Sequence, residues 1–166
     1  MIHSAFVSLM AATAVILMAA PECRHDDRLL RYSPVAAELD GELYYSGEYV
    51  YPKFVNADQS FIFIQEPAGF HVSIERRIFS DSGAEALLAI YVDESVPFAL
   101  HTRYPLGSEN NWARIKGCTS TEGYVVFTEK RDDGLSGVFE FEASDSETGA
   151  VVSVTNGTFV NLWTTH

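Results

Sequence analysis

Basic residues are scarce in this chain. Lys and Arg number 11 against 23 Asp and Glu, a formal charge of −12. That shortage excludes a nucleic-acid partner, whose phosphates demand a basic footprint. It equally excludes attachment to an anionic membrane through surface charge. Net acidity keeps a chain soluble; the sharper alternative is an acidic surface for cations or basic partners. Cysteine is nearly absent, with only Cys23 and Cys118, and no C-x-x-C or clustered Cys/His spacing offers a metal centre. The histidines His3, His25, His71, His101 and His166 are scattered; His71 and His101 could approach each other across a sheet, but spacing alone does not place them. No G-x-S-x-G elbow, G-x-x-x-x-G-K-[ST] loop or H-E-x-x-H helix is present, so no catalytic residue and no cofactor is expected. Beyond residue 22 there is no amphipathic helix of ordinary length and no internal repeat.

What is present begins with an apolar leader. Ala5 to Ala20 is interrupted only by Ser8 and Thr13, and a charged segment follows from Glu22. As a helix this run would rise about 24 Å, short of the ~30 Å hydrocarbon core. Residues 1–22 therefore read as an export signal, although Met1 to Ser4 lacks the usual basic flank. A buried N-terminal helix is the competing reading. Leu17-Met18-Ala19-Ala20-Pro21-Glu22-Cys23 resembles a bacterial lipoprotein signal, with Cys23 as the acylated residue and Pro21 and Glu22 in place of the usual small residues. Plain secretion competes with that reading, and so does pairing of Cys23 with Cys118. Residues 23–40 read as a tether, and 41–166 as one β domain.

Within that domain, strand-sized runs alternate with turn signals. Leu43 to Tyr51 is rich in Tyr, with Gly47 as a bulge site. Gln59 to Gln65 places Phe61 and Phe63 on one face and Ile62 and Ile64 on the other, a pattern expected to be buried on both. From Phe70, the residues Phe70, Val72, Ile74 and Ile78 point inward, and His71, Ser73 and Glu75 point to water. Ala84 to Val92 suits a short helix or a strand, and the uniform rhythm around it favours a strand. Further strands are expected at Phe98 to Tyr104, Trp112 to Ile115 and Tyr124 to Glu129, with a hairpin turn at Arg131-Asp132-Asp133-Gly134. The expected fold is all-β: an antiparallel β-sandwich or lipocalin-like open barrel of about 8–10 strands.

The clearest stretch runs from Leu135 to Phe159. Phe139, Phe141 and Ala143 share one strand face, and Val138, Glu140 and Glu142 the other. After a polar turn ending at Gly149, Val152 and Val154 alternate with Val151, Ser153 and Thr155. Phe139 and Phe141 are core anchors. Gly137 and Gly157 supply positive φ or close backbone approach. Asn156-Gly157-Thr158 also spells a glycosylation acceptor, relevant only in a host with that machinery.

These residues carry a resemblance. Ser136-Gly137-Val138-Phe139-Glu140-Phe141-Glu142-Ala143, then Thr148-Gly149, then Val152 to Phe159, is similar to the pattern S-G-x-F-x-F-x-A … V-x-V-T-x-G-x-F. That pattern marks an uncharacterised family of small lipoproteins, mostly of the Bacteroidota. The strand at Tyr124 to Glu129 and the acidic Asp132-Asp133 fit it as well. The resemblance implies an exported β domain tethered to a membrane, and it supplies neither an activity nor a catalytic residue.

The expected function is thus a binding or interaction module of the cell envelope, membrane-anchored through Cys23 and engaging a protein or small-molecule ligand. If Cys23 is not acylated, the protein is secreted or periplasmic. Tyr and Trp join an apolar body to a polar handle, so Tyr49, Tyr51, Tyr104 and Trp112 are the candidate ligand contacts. A lipocalin-like carrier of an apolar ligand is the alternative. A further alternative is a hydrolase of envelope polymers using Glu140 and Glu142. Asp145 and Glu147 lack the ladder of a calcium loop and read as a solvated turn.

Overall fold

The computed structural model describes residues 35–46, 60–132 and 134–163. Tyr49, Tyr51, Cys23, the export signal and most of the tether lie outside them. The strands are β1 (Val35–Leu39), β2 (Glu42–Ser46), β3 (Ser60–Glu66), β4 (Gly69–Ser80) and β5 (Glu85–Glu94). They continue with β6 (Arg103–Pro105), β7 (Asn111–Ile115), β8 (Cys118–Lys130), β9 (Gly134–Ser144) and β10 (Val151–Trp163). All neighbours run antiparallel, in the order β2-β1-β10-β9-β8-β7-β5-β4-β3. β2 also pairs with β4, through Tyr44↔Ser80 and Tyr45↔Phe79. That pairing closes eight of the strands into a barrel, with β3 and β6 as additions on β4 and β8. Of the two expected architectures, sandwich and open barrel, the structure has the barrel and closes it: one sheet curls round on itself, and its interior is the core.

Several strands differ from the sequence reading in instructive ways. β1 lies in the stretch read as tether; Val35, Ala36, Ala37 and Leu39 are all buried between β2 and β10, a pattern too short to show alternation. Phe61 is buried on β3, but Ile62 and Ile64 are 44% and 51% exposed, so that strand has a wet face after all. The run from Phe98 to Tyr104 is mostly turn, and only Arg103–Pro105 pairs, with β8. Cys118 to Glu129, read as a polar piece and a separate strand, is one continuous β8. The ambiguous Ala84 to Val92 is strand β5.

Closing a barrel of eight strands requires bends, and bulges supply them. On β10 the register against β9 shifts between Val154 and Gly157 and again between Phe159 and Leu162. An extra residue flips the parity of the alternation, so Val154, Gly157, Phe159 and Leu162 all face inward. Asn156 (φ 52°) and Asn161 (φ 51°) take the left-handed conformation at these two sites, which Asn tolerates better than most residues. Gly157 therefore serves close approach and not positive φ.

Gly137 and Gly157 face each other's aromatic neighbours. Across the β9–β10 pair, Gly137 opposes Phe159 and Phe139 opposes Gly157. A Cβ on Gly137 would strike the Phe159 ring, and one on Gly157 would strike the Phe139 ring. Each ring thus lies over the glycine of the other strand, an arrangement that covers the bare backbone a glycine leaves in a sheet. This reciprocal pair is the physical content of the G-x-F … G-x-F pattern.

Rings continue through the interior. Phe139 stacks on Phe159 with centroids 6.3 Å apart, and Phe159 meets Phe127 at 6.0 Å. Phe127 also contacts Phe70, Phe98 and Tyr104. This aromatic cluster fills the end of the barrel near the β3–β4 turn.

The opposite end is tied by polar groups around the β2–β4 seam. Tyr45 donates to Asp81 at 2.7 Å, Ser82 donates to Glu42 at 2.8 Å, and Lys116 Nζ donates to the Tyr44 hydroxyl at 3.0 Å. The hydroxyls of Ser82 and Ser80 hold the Glu42 carboxyl below the ordinary glutamate range. A carboxyl held low contributes stability above the ordinary value, about pH 4.3, and loses it as the pH falls through the native-state value. On acidification the wild-type melting temperature is therefore expected to fall more steeply than that of Glu42→Gln. Thermal melts between about pH 5 and pH 3 check this, and parallel curves would refute it.

Candidate functional site: an outer-wall groove beside an aromatic stack

Outward-facing residues of β4, β5 and β7 assemble in rows set by the strand register. Ser73, Tyr91 and Trp112 form one row, and Glu75, Ala89 and Arg114 the next. Tyr91 and Trp112 stack with centroids 5.2 Å apart and planes 4° from parallel. His71 meets Tyr91 edge-on at 4.7 Å, and the Arg114 guanidinium lies over Trp112 at 4.7 Å. Such cross-strand aromatic contacts brace a sheet by roughly 0.2–1 kcal/mol each. They also occupy the ring faces: Trp112 lies between Tyr91 and Arg114. The stack offers a partner its edges and not a flat platform.

Beside the stack is a groove of about 440 Å³. Ala89, the smallest side chain in its row, forms the floor; Trp112 walls one end, and Leu87, 43% exposed, the other. Glu75 on β4 stands on one bank and Arg114 on β7 on the opposite bank, with Glu85 further along β5, the floor strand itself, and Lys116 past the end of β7. Arg77 pairs with Glu85 at 2.5 Å. The result is an apolar floor with the Glu75 carboxylate on one side and the Arg114 guanidinium on the other. It suits an extended segment with an apolar side chain between charges of both signs.

The sequence candidates are distributed differently. Trp112 is at this groove. Tyr104 is inside the barrel, its hydroxyl donating to the Ala99 carbonyl and accepting from the Ala99 N–H, both at 3.1 Å. Tyr44 and Tyr45 are also buried. His71 belongs to the stack, and His101 sits in an exposed turn before β6. Cys118 is buried, with Sγ 3.9 Å from the Ala150 carbonyl oxygen. Among the described residues, no group of His, Cys, Asp and Glu is arranged to hold a metal.

Glu140 and Glu142 line a second, shallower concavity of about 490 Å³ with Arg103, Glu122 and Tyr124. Arg103 lies 3.5 Å over the Tyr124 ring, and the Tyr124 hydroxyl donates to Glu140 at 2.9 Å. That bond raises the tyrosine's pKa above its ordinary value. Glu140 and Glu142 stand two apart on β9, the middle strand of this concavity, with Glu122 opposite Glu142 on β8. Acid–base hydrolysis needs carboxyls on both sides of a bond. Asp145 accepts the N–H groups of Glu147 and Thr148 at 2.8 and 3.1 Å, which commits it to its own turn.

Tyr91 was legible only as one of the surplus aromatics, and Arg114 and Leu87 were not legible as site residues. The outward parity of Leu87, Ala89 and Tyr91 follows from alternation along β5, but their juxtaposition with Trp112 depends on a register that only the folded sheet sets. No protein-family model matches the chain, and no curated protein or solved structure is significantly similar to it.

Proposed function

We propose that this chain is an exported binding module that engages a partner protein through the groove on the outer wall of β4, β5 and β7. The observation that carries this reading is the groove itself: an apolar floor at Ala89 between Trp112 and Leu87, with Glu75 on one side and Arg114 on the other. The aromatic cluster packed into one end of the barrel supports it, because interaction then falls to the outside. Export follows from the apolar leader of residues 1–22. Anchoring in the envelope membrane follows from acylation at Cys23, as the resemblance to small lipoproteins implies. A protein with no lipid-anchored Cys23 would act in the periplasm or outside the cell.

Site-specific photocrosslinking in the native envelope tests this. A photoreactive residue at Leu87 is expected to capture a discrete partner, and one at Val151, exposed on another strand, is not. Trp112→Ala with Arg114→Glu should cut the Leu87 adduct at least about tenfold, since it removes a wall and inverts one bank. Equal crosslinking from both positions, or an adduct unchanged by the double substitution, would sink the reading.

A further inference from the structure

Four charged side chains stand around the outer groove, and two of them are already committed. Glu85 takes the Arg77 guanidinium. Lys116 Nζ donates to the Tyr44 hydroxyl at 3.0 Å and lies over that ring, at the polar end of the barrel. Glu75 and Arg114 remain. The Glu75 carboxylate accepts a long hydrogen bond, 3.5 Å, from the Ser60 hydroxyl. Arg114 is exposed and lies over Trp112, and among the described residues no carboxylate pairs with it. Contact with a ring steadies a guanidinium without using its N–H donors, and their planar fork matches the two oxygens of a carboxylate.

The strand register puts both groups in one row. Ala89 opposes Glu75 on one side and Arg114 on the other. Two strand spacings therefore separate them, roughly 10 Å between Cα atoms. An extended chain laid across this row rises about 3.4 Å per residue, so side chains two apart share a face and lie about 7 Å from each other. A terminal carboxylate above β7 would set the last side chain on Ala89, between Trp112 and Leu87. The side chain two residues before it would then lie above β4, at Glu75. An internal segment has no carboxylate at that point and offers Arg114 only a neutral carbonyl.

The geometry points to the carboxyl terminus of a partner polypeptide as the occupant of the groove: an apolar last residue on Ala89, its terminal carboxylate on Arg114, and a basic residue two before the end on Glu75. This names what the outer groove holds, and it rests on the reading of that groove as the binding surface.

Fluorescence anisotropy of a labelled hexapeptide ending in lysine-serine-leucine, titrated with the full-length protein, tests it. The free acid is expected to bind saturably at one site, and the same peptide with an amidated terminus about tenfold more weakly, since a charge-assisted pair is lost. Arg114→Gln should weaken the free acid about tenfold and should no longer distinguish acid from amide. Glutamate in place of the peptide's lysine should cost about three- to fivefold, the size of an exposed ion pair, and Glu75→Lys should reverse that preference. Both side chains lie outside the core, so these variants keep the fold. Equal affinity for acid and amide overturns the proposal. So does absence of saturable binding of the acid, or an Arg114→Gln variant that still prefers the acid. Crosslinking at Leu87 keeps the two readings apart. An adduct mapped to the interior of a partner's sequence removes this proposal and leaves the groove standing, whereas equal capture from Leu87 and Val151 removes the groove itself.

Discussion

Gly157→Ala is expected to destabilise the fold by about 1–3 kcal/mol, at the upper end of what one added methyl does in a packed core. The backbone at Gly157 is not left-handed, so alanine's dihedral preferences are not the obstacle. The obstacle is space. The new methyl would meet the Phe139 ring, which can tilt, and the Phe139 carbonyl oxygen at 2.5 Å, which belongs to the β9 backbone and cannot. Gly137→Ala meets the same difficulty from the Phe159 ring and the Val126 carbonyl at 2.5 Å. Phe139→Ala, which empties the space over Gly157, should cost about 3–5 kcal/mol. The two substitutions should couple. With the ring gone, Gly157→Ala should cost less by about 1 kcal/mol, because only the carbonyl clash persists. Urea unfolding of the four proteins of this cycle measures the coupling, provided m is unchanged. Strict additivity would mean that the ring and the glycine do not form a unit.

Phe127→Ala is the second large effect, also about 3–5 kcal/mol, with the melting temperature lowered by roughly 10–20 °C. Phe127 is where ring contacts converge: Phe70 at 6.1 Å, Phe98 at 5.4 Å, Tyr104 at 5.6 Å and Phe159 at 6.0 Å. It is fully buried on β8, and its neighbours come from β4, β6, β10 and the segment before β6, so little can collapse into the space. Phe127→Leu should recover most of the loss. Exposed Val151→Ala, with no such neighbours, should change the melting temperature by only a degree or two. A Phe127→Ala variant melting within a few degrees of the wild type would show that the aromatic cluster is loosely packed.

Much of the wall could be read from alternation alone. Phe139, Phe141 and Ala143, then Val152 and Val154, were assigned inward and are buried. The inward set on β4 was legible at Phe70, Val72, Ile74 and Ile78, yet Arg76 shares their parity and reads as a surface residue only because it is charged. Tyr104 was open to the opposite error. A polar handle suggested a ligand contact, but the Ala99 backbone satisfies the hydroxyl inside the barrel. A barrel was legible only as the alternative to a sandwich, because closure depends on residue pairs joining strands far apart in the chain. The candidate groove was legible only through Trp112. Its floor and banks come from three strands whose relative register no local pattern encodes.

Among the described residues two residue pairs hold the β2–β4 seam, as few as in the β7–β8 ladder, against long ladders such as β4–β5 and β9–β10. The β7–β8 pair is backed by the tight turn that links its strands, whereas the seam joins strands far apart in the chain, so the smallest excursion that unrolls the sheet without straining a hairpin runs along it. The side-chain ties of Tyr45 to Asp81, Ser82 to Glu42 and Lys116 to Tyr44 sit at that line, where they act as rivets on a door. Local opening of such a molecule is expected to start on that flank before it spreads to the long ladders.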